Sequence, residues 1–289
     1  MIGALEAGGT KMVCAIFSDQ GALVDRVSYP TETPIEVMPK IIAYFKQYPE
    51  LKAIGVGSFG PIGVNPELES FGYITTTPKL AWQHYNLYGT LKEALPLPIA
   101  WTTDVNAAAY GELRQGAAQD VKNCLYLTVG TGIGGGVVVN EKVVEGYAHP
   151  EAGHMLLMRN EQDDYEGFCP YHKNCAESLA AGPAIEGRWG KKAIELTDNP
   201  EVWELEAEYL AQALYNYYVT LSSERFILGG GVMKQSQLFP LIRAKFAELN
   251  NGYLELPELE SFIVPPQLGD NAGITGCYEL AKDLIEANV

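Results

Sequence analysis

Long apolar runs are missing from this chain of 289 residues. No segment approaches the roughly 18 consecutive apolar residues of a transmembrane helix, so we expect no membrane span. The first residues, MIGALEAGGTK, contain no basic segment followed by an apolar one, and we expect no secretory signal peptide. Cysteine is scarce too. Its five residues, an odd number without regular spacing, favour a reducing cytoplasm over a disulfide-stabilised secreted protein.

Positive charge is also in short supply, with 20 Lys and Arg residues against 36 Asp and Glu residues. The net charge of −16 repels a phosphate backbone, which argues against nucleic-acid binding. A phosphorylated ligand must therefore be held locally, by backbone N–H groups, a lysine or a metal ion. Such N–H groups are most accessible in glycine-rich turns, which are the first candidates for a ligand site.

Two glycine turns occupy equivalent places in a repeated pattern. Gly8-Gly9-Thr10 and Gly130-Thr131-Gly132 each stand between two strand-like runs, and a tight turn and a third run follow. The repeat predicts two similar α/β domains, residues 1–115 and residues 116–289. We expect the C-terminal helix, which starts at Ala272, to pack back on the first domain.

Other segments predict further elements. We expect a third strand at VVEGYAH, a strand at PIAWTT, a helix from Asp104, a helix over 177–189, a long helix around 200–222, a helix over 236–249, and strands at RFILGGG and SFIVPP. The Pro/Gly-rich loop from Phe59 to Trp82 is expected to border a site.

The stretch GTGIGG at 130–135 matches the dinucleotide pattern G-x-G-x-x-G. A dinucleotide turn must lead into a helix, whereas the residues that follow, Gly136-Val137-Val138-Val139, are typical of a strand, so we reject NAD binding. The turn can still present N–H groups to a phosphate, with a Thr131 hydroxyl beside them. A glycine-rich hairpin without a ligand remains the alternative.

The first turn can bind a phosphate in the same way, and its Lys11 offers an ammonium in addition to the backbone N–H groups. Glu6 stands just before it and offers a carboxylate that could reach Mg²⁺ through water, or else a salt bridge facing the turn. Gly229-Gly230-Gly231 follows a strand and precedes a helix-forming stretch, where an open α/β sheet receives a nucleotide.

Histidine is rare, with four residues in the chain, yet His154 and His172 fall with Cys169 and Cys175 inside one 22-residue stretch. Two imidazoles and two thiolates suit tetrahedral zinc. A Cys169–Cys175 disulfide would leave both histidines unexplained. The other alternative is that the four residues occur in one loop by chance and bind nothing. Four protein ligands leave no open position for water or substrate, which favours a structural zinc over a catalytic one.

Six motifs occur in one order across nearly the whole chain: EAGGTK, TTDVNAAAYGE, LTVGTGIGGG, PEAGH, CAESLAAGPAI and ILGGGVM. This combination resembles the ROK family (repressors, open reading frames and sugar kinases), and its opening is similar to the bacterial fructokinase branch. The resemblance implies the actin/hexokinase/Hsp70-like ATPase fold, with two similar α/β domains around a central cleft. It also implies ATP-dependent phosphorylation of a hexose.

The resemblance assigns roles to particular residues. Asp104 becomes the general base that accepts the sugar hydroxyl proton, although from the residues alone it could equally be a helix N-cap. The implied sugar-binding residues are Gly60, Pro61, Thr103, Asp104, Asn106, Glu151, His154 and Glu177. The implied nucleotide-binding residues are Gly8, Gly9, Thr10, Lys11, Gly130, Thr131, Gly132, Pro183, Gly229, Gly230 and Gly231.

Two departures from the family pattern stand out. The family usually has Asn before the catalytic Asp, and this chain has Thr103, which puts that sugar contact in question. The family's metal stretch usually contains three cysteines, whereas here CPYHKNC places His172 among the predicted zinc ligands His154, Cys169, His172 and Cys175.

Composition thus favours a cytoplasmic protein, the Cys/His stretch predicts one structural zinc, and the resemblance implies a homodimeric fructokinase that uses Mg-ATP. Glucokinase or another hexose or N-acetylhexosamine kinase is the alternative within the enzyme class. A sugar-sensing repressor is the remote alternative, because such repressors carry an N-terminal helix-turn-helix segment and this chain starts at its phosphate motif.

Overall fold

The computed structural model describes residues 1–287, and the chain forms two compact units within it. Unit 1 contains Met1–Gln119, Lys142–Pro150 and the C-terminal stretch from Gln267. Unit 2 contains Asp120–Glu141 and Glu151–Pro266. The division at residues 115 and 116 stays a prediction about domains. No helix among the described residues is long and apolar enough to span a membrane.

Short strands alternate with helices along the chain. The strands are β1 (Ile2–Ala7), β2 (Lys11–Phe17), β3 (Leu23–Pro30), β4 (Ile54–Ser58), β5 (Tyr73–Ile74), β6 (Tyr85–Asn86), β7 (Ile99–Thr103), β8 (Cys124–Val129), β9 (Ile133–Val139), β10 (Lys142–Val143), β11 (Arg225–Gly229) and β12 (Ile263–Val264). The helices are α1 (Pro34–Phe45), α2 (Leu87–Ala94), α3 (Asp104–Gln115), α4 (Ala176–Ala180), α5 (Gly182–Trp189), α6 (Pro200–Leu221), α7 (Leu238–Asn250), α8 (Leu259–Phe262) and α9 (Ala272–Glu286).

The two units repeat one strand order, as the sequence repeat predicts. In unit 1, β1 pairs antiparallel with β2 and parallel with β4, which pairs parallel with β7. In unit 2, β8 pairs antiparallel with β9 and parallel with β11, which pairs parallel with β12. Each glycine turn therefore joins the antiparallel pair at the centre of its sheet, next to the carboxyl end of a parallel strand.

Small residues let helix α9 lie close to the sheet and to α3 in unit 1. A Cβ on Gly276 would sit 1.7 Å from the Ala107 carbonyl oxygen, and one on Gly111 would sit 2.3 Å from the Ala272 carbonyl oxygen. Only glycine fits such distances, because a side-chain carbon would overlap the neighbouring backbone. This packing fixes α3, whose first residue is Asp104, against the carboxyl ends of the strands.

Glu112 secures the other end of α3. Its fully buried carboxylate accepts the backbone N–H groups of Ala117 at 2.7 Å, Gln267 at 3.1 Å and Leu268 at 2.8 Å. These donors lie where the chain leaves unit 1 and where it returns, so one carboxylate ties the two ends together.

Four details of the secondary structure differ from the predictions. The helix expected over 177–189 is two helices, because Ala181 is extended and Gly182 donates its N–H to the Gly130 carbonyl oxygen at 2.7 Å. The run VVEGYAH is regular only at β10. The segment SFIVPP is the end of α8 followed by the two-residue strand β12. After Gly231 comes a 3₁₀ turn at Val232–Lys234, and α7 starts at Leu238.

Candidate functional site

The first glycine turn, Gly8 to Lys11, is closed by a hydrogen bond from the Gly8 N–H to the Lys11 carbonyl oxygen at 3.0 Å. Thr31 in turn donates its hydroxyl to the Gly8 carbonyl oxygen at 2.7 Å, which fixes the turn to the chain beyond β3. Thr10 and Lys11 are exposed at its tip. The turn therefore offers accessible N–H groups and an ammonium to an anion.

The Glu6 and Asp104 carboxylates of unit 1 lie close enough for their charges to interact. Burial, and then the Asp104 charge, raise the pKa of Glu6 to about 7 against the smaller opposing effects of Lys11 and Arg26. The Oε2 atom of Glu6 is buried and has no hydrogen-bond partner within residues 1–287. An unsatisfied buried acceptor near a second carboxylate and a glycine turn fits a hydrated divalent cation.

The raised pKa of Glu6 predicts a pH-dependent stability. The folded protein holds this proton more tightly than the unfolded chain, whose value is 4.5, so the stabilisation is complete at low pH and is lost as the pH rises through about 7. Relative to Glu6→Gln, the wild type should lose about 2 kcal/mol of unfolding free energy between pH 5 and pH 8. Urea unfolding of both proteins across this range measures the difference, and parallel curves would contradict it.

Asp104 lies at the junction of β7 and α3, half-buried, with its Oδ1 accepting the Val105 N–H at 2.9 Å. The helix N-cap is Thr103, whose hydroxyl accepts the Asn106 N–H at 3.0 Å, so the N-cap interpretation of Asp104 is wrong. The Asp104 carboxylate is held by its own backbone and by the capped first turn of α3. A carboxylate held in this way can act as a proton acceptor.

Thr103 and Asn106 are almost fully buried and already engaged within unit 1. The Asn106 side-chain amide donates to the Thr102 hydroxyl at 3.1 Å, in addition to the cap bond from its backbone to Thr103. These bonds hold the first turn of α3 on either side of Asp104. Direct sugar contacts by Thr103 and Asn106 stay a prediction.

Glu145 and His149 also contact this region of unit 1, and neither was predicted from the sequence. The Thr102 hydroxyl donates to Glu145 Oε1 at 2.6 Å, and burial raises the pKa of Glu145. The Ile62 N–H donates to His149 Nε2 at 3.1 Å, next to the cis Gly60–Pro61 peptide of the predicted sugar loop. The available signal was composition, because His149 is one of only four histidines and directly precedes the PEAGH motif.

The second glycine turn meets other predicted nucleotide residues inside unit 2. The Gly130 carbonyl oxygen accepts the Gly182 N–H, next to Pro183, and a Cβ on Gly130 would lie 3.8 Å from the Gly231 nitrogen. Gly230 has a φ of +93° and no room for a side chain against the Val129 backbone. These residues form one glycine-lined surface that can accept a nucleotide phosphate.

Two of the predicted nucleotide-binding residues, Gly229 and Thr131, differ in their accessibility to a ligand. A Cβ on Gly229 would fall 2.4 Å from the Tyr126 hydroxyl oxygen, so Gly229 packs against the Tyr126 side chain. Thr131 is exposed at the tip of the turn, where its hydroxyl is accessible to a ligand.

Residues predicted to bind sugar converge on Ile133, the first residue of β9. The Glu177 Oε2 accepts the Ile133 N–H at 3.0 Å, and a Cβ on Gly132 would lie 2.6 Å from that oxygen. The short 3₁₀ turn Ala152–His154 packs on the other side, since a Cβ on Gly153 would sit 1.8 Å from the Ile133 carbonyl oxygen. Glu151, which directly precedes this turn, is exposed. Tertiary packing thus brings Glu151, His154 and Glu177 to the end of the second glycine turn.

The predicted metal ligands also come together in unit 2. One ligand atom each from His154, Cys169, His172 and Cys175 lies within 4.8 Å of the others. The His154 Nδ1 is 3.8 Å from the Cys169 Sγ and 3.6 Å from the Cys175 Sγ. Tetrahedral zinc with ordinary Zn–N and Zn–S bonds places such atoms about 3.6 Å apart. The donor set and its spacing therefore fit zinc.

The chemistry of the two thiols agrees with that interpretation. All five cysteines are free, so the Cys169–Cys175 disulfide is not formed. Burial, together with the neighbouring Cys169, raises the pKa of Cys175 to about 11 against an opposing Ser178 N–H. A buried thiol of this kind stays protonated at neutral pH unless a cation lies beside it, and a zinc ion bound here would stabilise the thiolate form.

Polar braces hold the loop that carries this cluster. The Arg159 guanidinium donates to the carbonyl oxygens of Tyr165, of Glu166 at 3.3 Å and of Lys173 at 2.8 Å. Buried Asp163 accepts two hydrogen bonds from Arg188, at 2.9 and 3.0 Å. The loop thus has its own framework in addition to any metal.

Known proteins resemble this chain along its full length. A ROK family model matches residues 2–284. A putative fructokinase of Bacillus subtilis (strain 168) is 48% identical over 99% of this chain and 97% of its own length. A fructokinase of Pediococcus pentosaceus is 50% identical over 98% of each chain.

Solved structures give the same result for the fold. A ROK hexokinase from Thermus thermophilus has a TM-score of 0.83 at 27% identity and covers 99% of both chains, which confirms the predicted fold class of actin- and hexokinase-like ATPases. With a family model that spans residues 2–284 and relatives at 48% and 50% identity over nearly the whole chain, this protein belongs to the ROK family.

Proposed function

We propose that this protein is an ATP-dependent fructokinase that transfers the γ-phosphoryl group of ATP to the C6 hydroxyl of fructose. The observation that carries the proposal is the Asp104 carboxylate, held half-buried at the β7–α3 junction by Val105 and the Thr103 cap. Relatives named fructokinase at 48% and 50% identity support fructose as the acceptor.

In this proposal Asp104 accepts the proton of the sugar hydroxyl as the oxygen attacks phosphorus. The new O–P bond forms while the bond from phosphorus to the ADP oxygen breaks, and the electron pair stays on ADP. The two glycine turns hold phosphate oxygens through backbone N–H groups, with Lys11 beside the first turn. When bound, Mg²⁺ neutralises phosphate charge, and Glu6 would hold it through water.

Sugar recognition in this proposal uses charged acceptors and a fixed loop. Glu151 and Glu177 accept hydrogen bonds from sugar hydroxyls, and the His154 imidazole adds one further hydrogen bond. Carboxylates suit this role because each accepts more than one. The Gly60–Pro61 loop, held by His149, adds a backbone surface.

We further propose one structural zinc on His154, Cys169, His172 and Cys175. The zinc would fix the Nδ1 side of His154 and leave its Nε2 directed to the sugar. The zinc loop therefore positions sugar-binding residues without taking part in phosphoryl transfer. We also propose that the protein is cytoplasmic and that it forms a homodimer. Sedimentation of the purified protein tests the dimer.

A hexose panel tests the assignment. A coupled ADP-release assay with fructose, glucose, mannose and N-acetylmannosamine at equal concentrations gives kcat/KM for each sugar. We expect fructose to exceed every other sugar by at least about tenfold, the discrimination that a dedicated site provides. A preference for glucose or N-acetylmannosamine would replace fructokinase with another hexose kinase. ADP release independent of sugar would contradict a sugar kinase altogether.

A further inference from the structure

A lysine outside the recognised motifs reaches over the first glycine turn. A Cβ built on Gly9 would lie 3.5 Å from the Cε atom of Lys79, so the end of this side chain lies against the turn that joins β1 and β2. In the part of the chain that the structure describes, the Lys79 ammonium has no carboxylate within ion-pairing distance.

The backbone that carries Lys79 is firmly anchored. The Trp82 N–H donates to the Lys79 carbonyl oxygen at 2.8 Å, and the Lys79 N–H donates to the Thr77 hydroxyl at 3.3 Å. Trp82 is only 1% exposed, and its ring packs edge-on against Phe59 at 5.7 Å and Tyr85 at 5.4 Å. The backbone at Lys79 is therefore held in place, whereas its long side chain can still move.

The two lysines near the first turn, Lys11 and Lys79, differ in their electrostatic partners. Lys11 acts on Glu6 and lowers its pKa, whereas Lys79 forms no ion pair with a carboxylate among the described residues. The charge of Lys79 is therefore available to an external anion. The turn below it presents N–H groups, and anions are held best where N–H groups and an ammonium converge.

We propose that Lys79 is a further phosphoryl-binding residue, which donates a hydrogen bond to a non-bridging oxygen of the γ-phosphoryl group during its transfer. This inference rests on the proposed kinase function. As the sugar oxygen bonds to phosphorus and the bond to ADP breaks, negative charge is carried by the oxygens of the transferring group. An ammonium beside those oxygens stabilises the transition state more than bound ATP or bound sugar.

The test compares Lys79→Met with Lys79→Arg and with Lys46→Met. Methionine keeps the stem but removes the charge, and arginine restores the charge. Lys46, an exposed lysine at the end of α1, provides the same change of net charge away from the turn. For each variant, kcat and both KM values are measured with fructose and Mg-ATP, together with the melting temperature.

We expect Lys79→Met to lower kcat by about 10- to 100-fold, with the fructose KM and the melting temperature nearly unchanged. Lys79→Arg should recover a substantial part of the loss, and Lys46→Met should retain wild-type rates. A Lys79→Met kcat within twofold of wild type would overturn the inference. So would a loss that arginine does not reduce, or one that follows a fall in melting temperature. If the wild type does not phosphorylate fructose in the same assay, the proposed function fails instead.

Discussion

Asp104→Asn should lower kcat for hexose phosphorylation by about 10³-fold, because a positioned general base typically contributes a factor of 10² to 10⁴. The affinity for the hexose should stay within about threefold, since one carboxylate oxygen contributes little to ground-state binding compared with the transition state. The expected signature is thus a loss of turnover with binding retained.

The local structure makes this substitution conservative. The side-chain oxygen of the introduced asparagine can still accept the Val105 N–H that Asp104 Oδ1 accepts at 2.9 Å. The Thr103 cap and the Glu112 anchor at the other end of α3 do not involve the altered group. The change therefore removes a charge and a proton acceptor and leaves the helix in place.

Single-turnover rates and calorimetric sugar titrations separate the two effects. Asp19→Asn is the matched control, because Asp19 is an exposed carboxylate of unit 1 that pairs with Lys52 and the N-terminus. Near-normal turnover of Asp104→Asn would remove Asp104 from the role of base. Because the Asp104 charge also raises the pKa of Glu6, the same variant should lower that pKa.

Loss of zinc should have the second-largest effect. We expect the purified protein to contain one zinc per chain, and Cys169→Ala to lose it, to melt about 10 °C lower and to show a sugar KM raised at least about tenfold. The physical reason is that Cys175, whose Sγ accepts the Ser178 N–H at 3.4 Å, caps α4. That helix carries Glu177.

We expect the loss of zinc to unfold the loop only partly, because other hydrogen bonds also hold the loop. Arg159 and the Asp163–Arg188 pair hold the loop backbone by bonds that do not involve the metal ligands. Small zinc fingers lack such support and unfold without metal. The KM for ATP should change less than the sugar KM, because Gly182, at the start of α5, stays bonded to the Gly130 turn.

Elemental analysis, thermal unfolding and steady-state kinetics provide the readouts. Cys14→Ala serves as the control, because it also removes a buried thiol but lies in β2, away from the cluster. Stoichiometric zinc in Cys169→Ala, or a wild type without zinc, would contradict the site.

Much of the fold was predictable because it rests on local patterns. The repeat of strand, glycine turn and strand predicted two related sheets, and both have the same strand order. The prediction was wrong where a tertiary bond competes with a local preference. The helix over 177–189 breaks because the Gly182 N–H bonds to Gly130 rather than continuing the helix.

Long-range hydrogen bonds account for the site residues that the sequence did not reveal. Thr102 and Glu145 are 43 positions apart, and Ile62 and His149 are 87 apart, so neither pair has a local pattern. Lys79 lies in a loop that the sequence predicted to border a site, yet only the folded chain brings its side chain to Gly9. Thr103, a departure from the family motif, proved to be the cap of α3.

The sequence by itself determined the strand repeat, the two glycine turns, the position of Asp104 at the start of a helix and the candidate metal ligands His154, Cys169, His172 and Cys175. These features depend on residue type and short spacing, which local sterics and ligand chemistry translate directly into structure. The tertiary structure decided the environment of each group: the raised pKa of Glu6, the bond of Glu177 to Ile133 and the approach of Lys79 to the turn. Burial and charge proximity depend on packing between distant segments, and so these properties exist only in the folded chain.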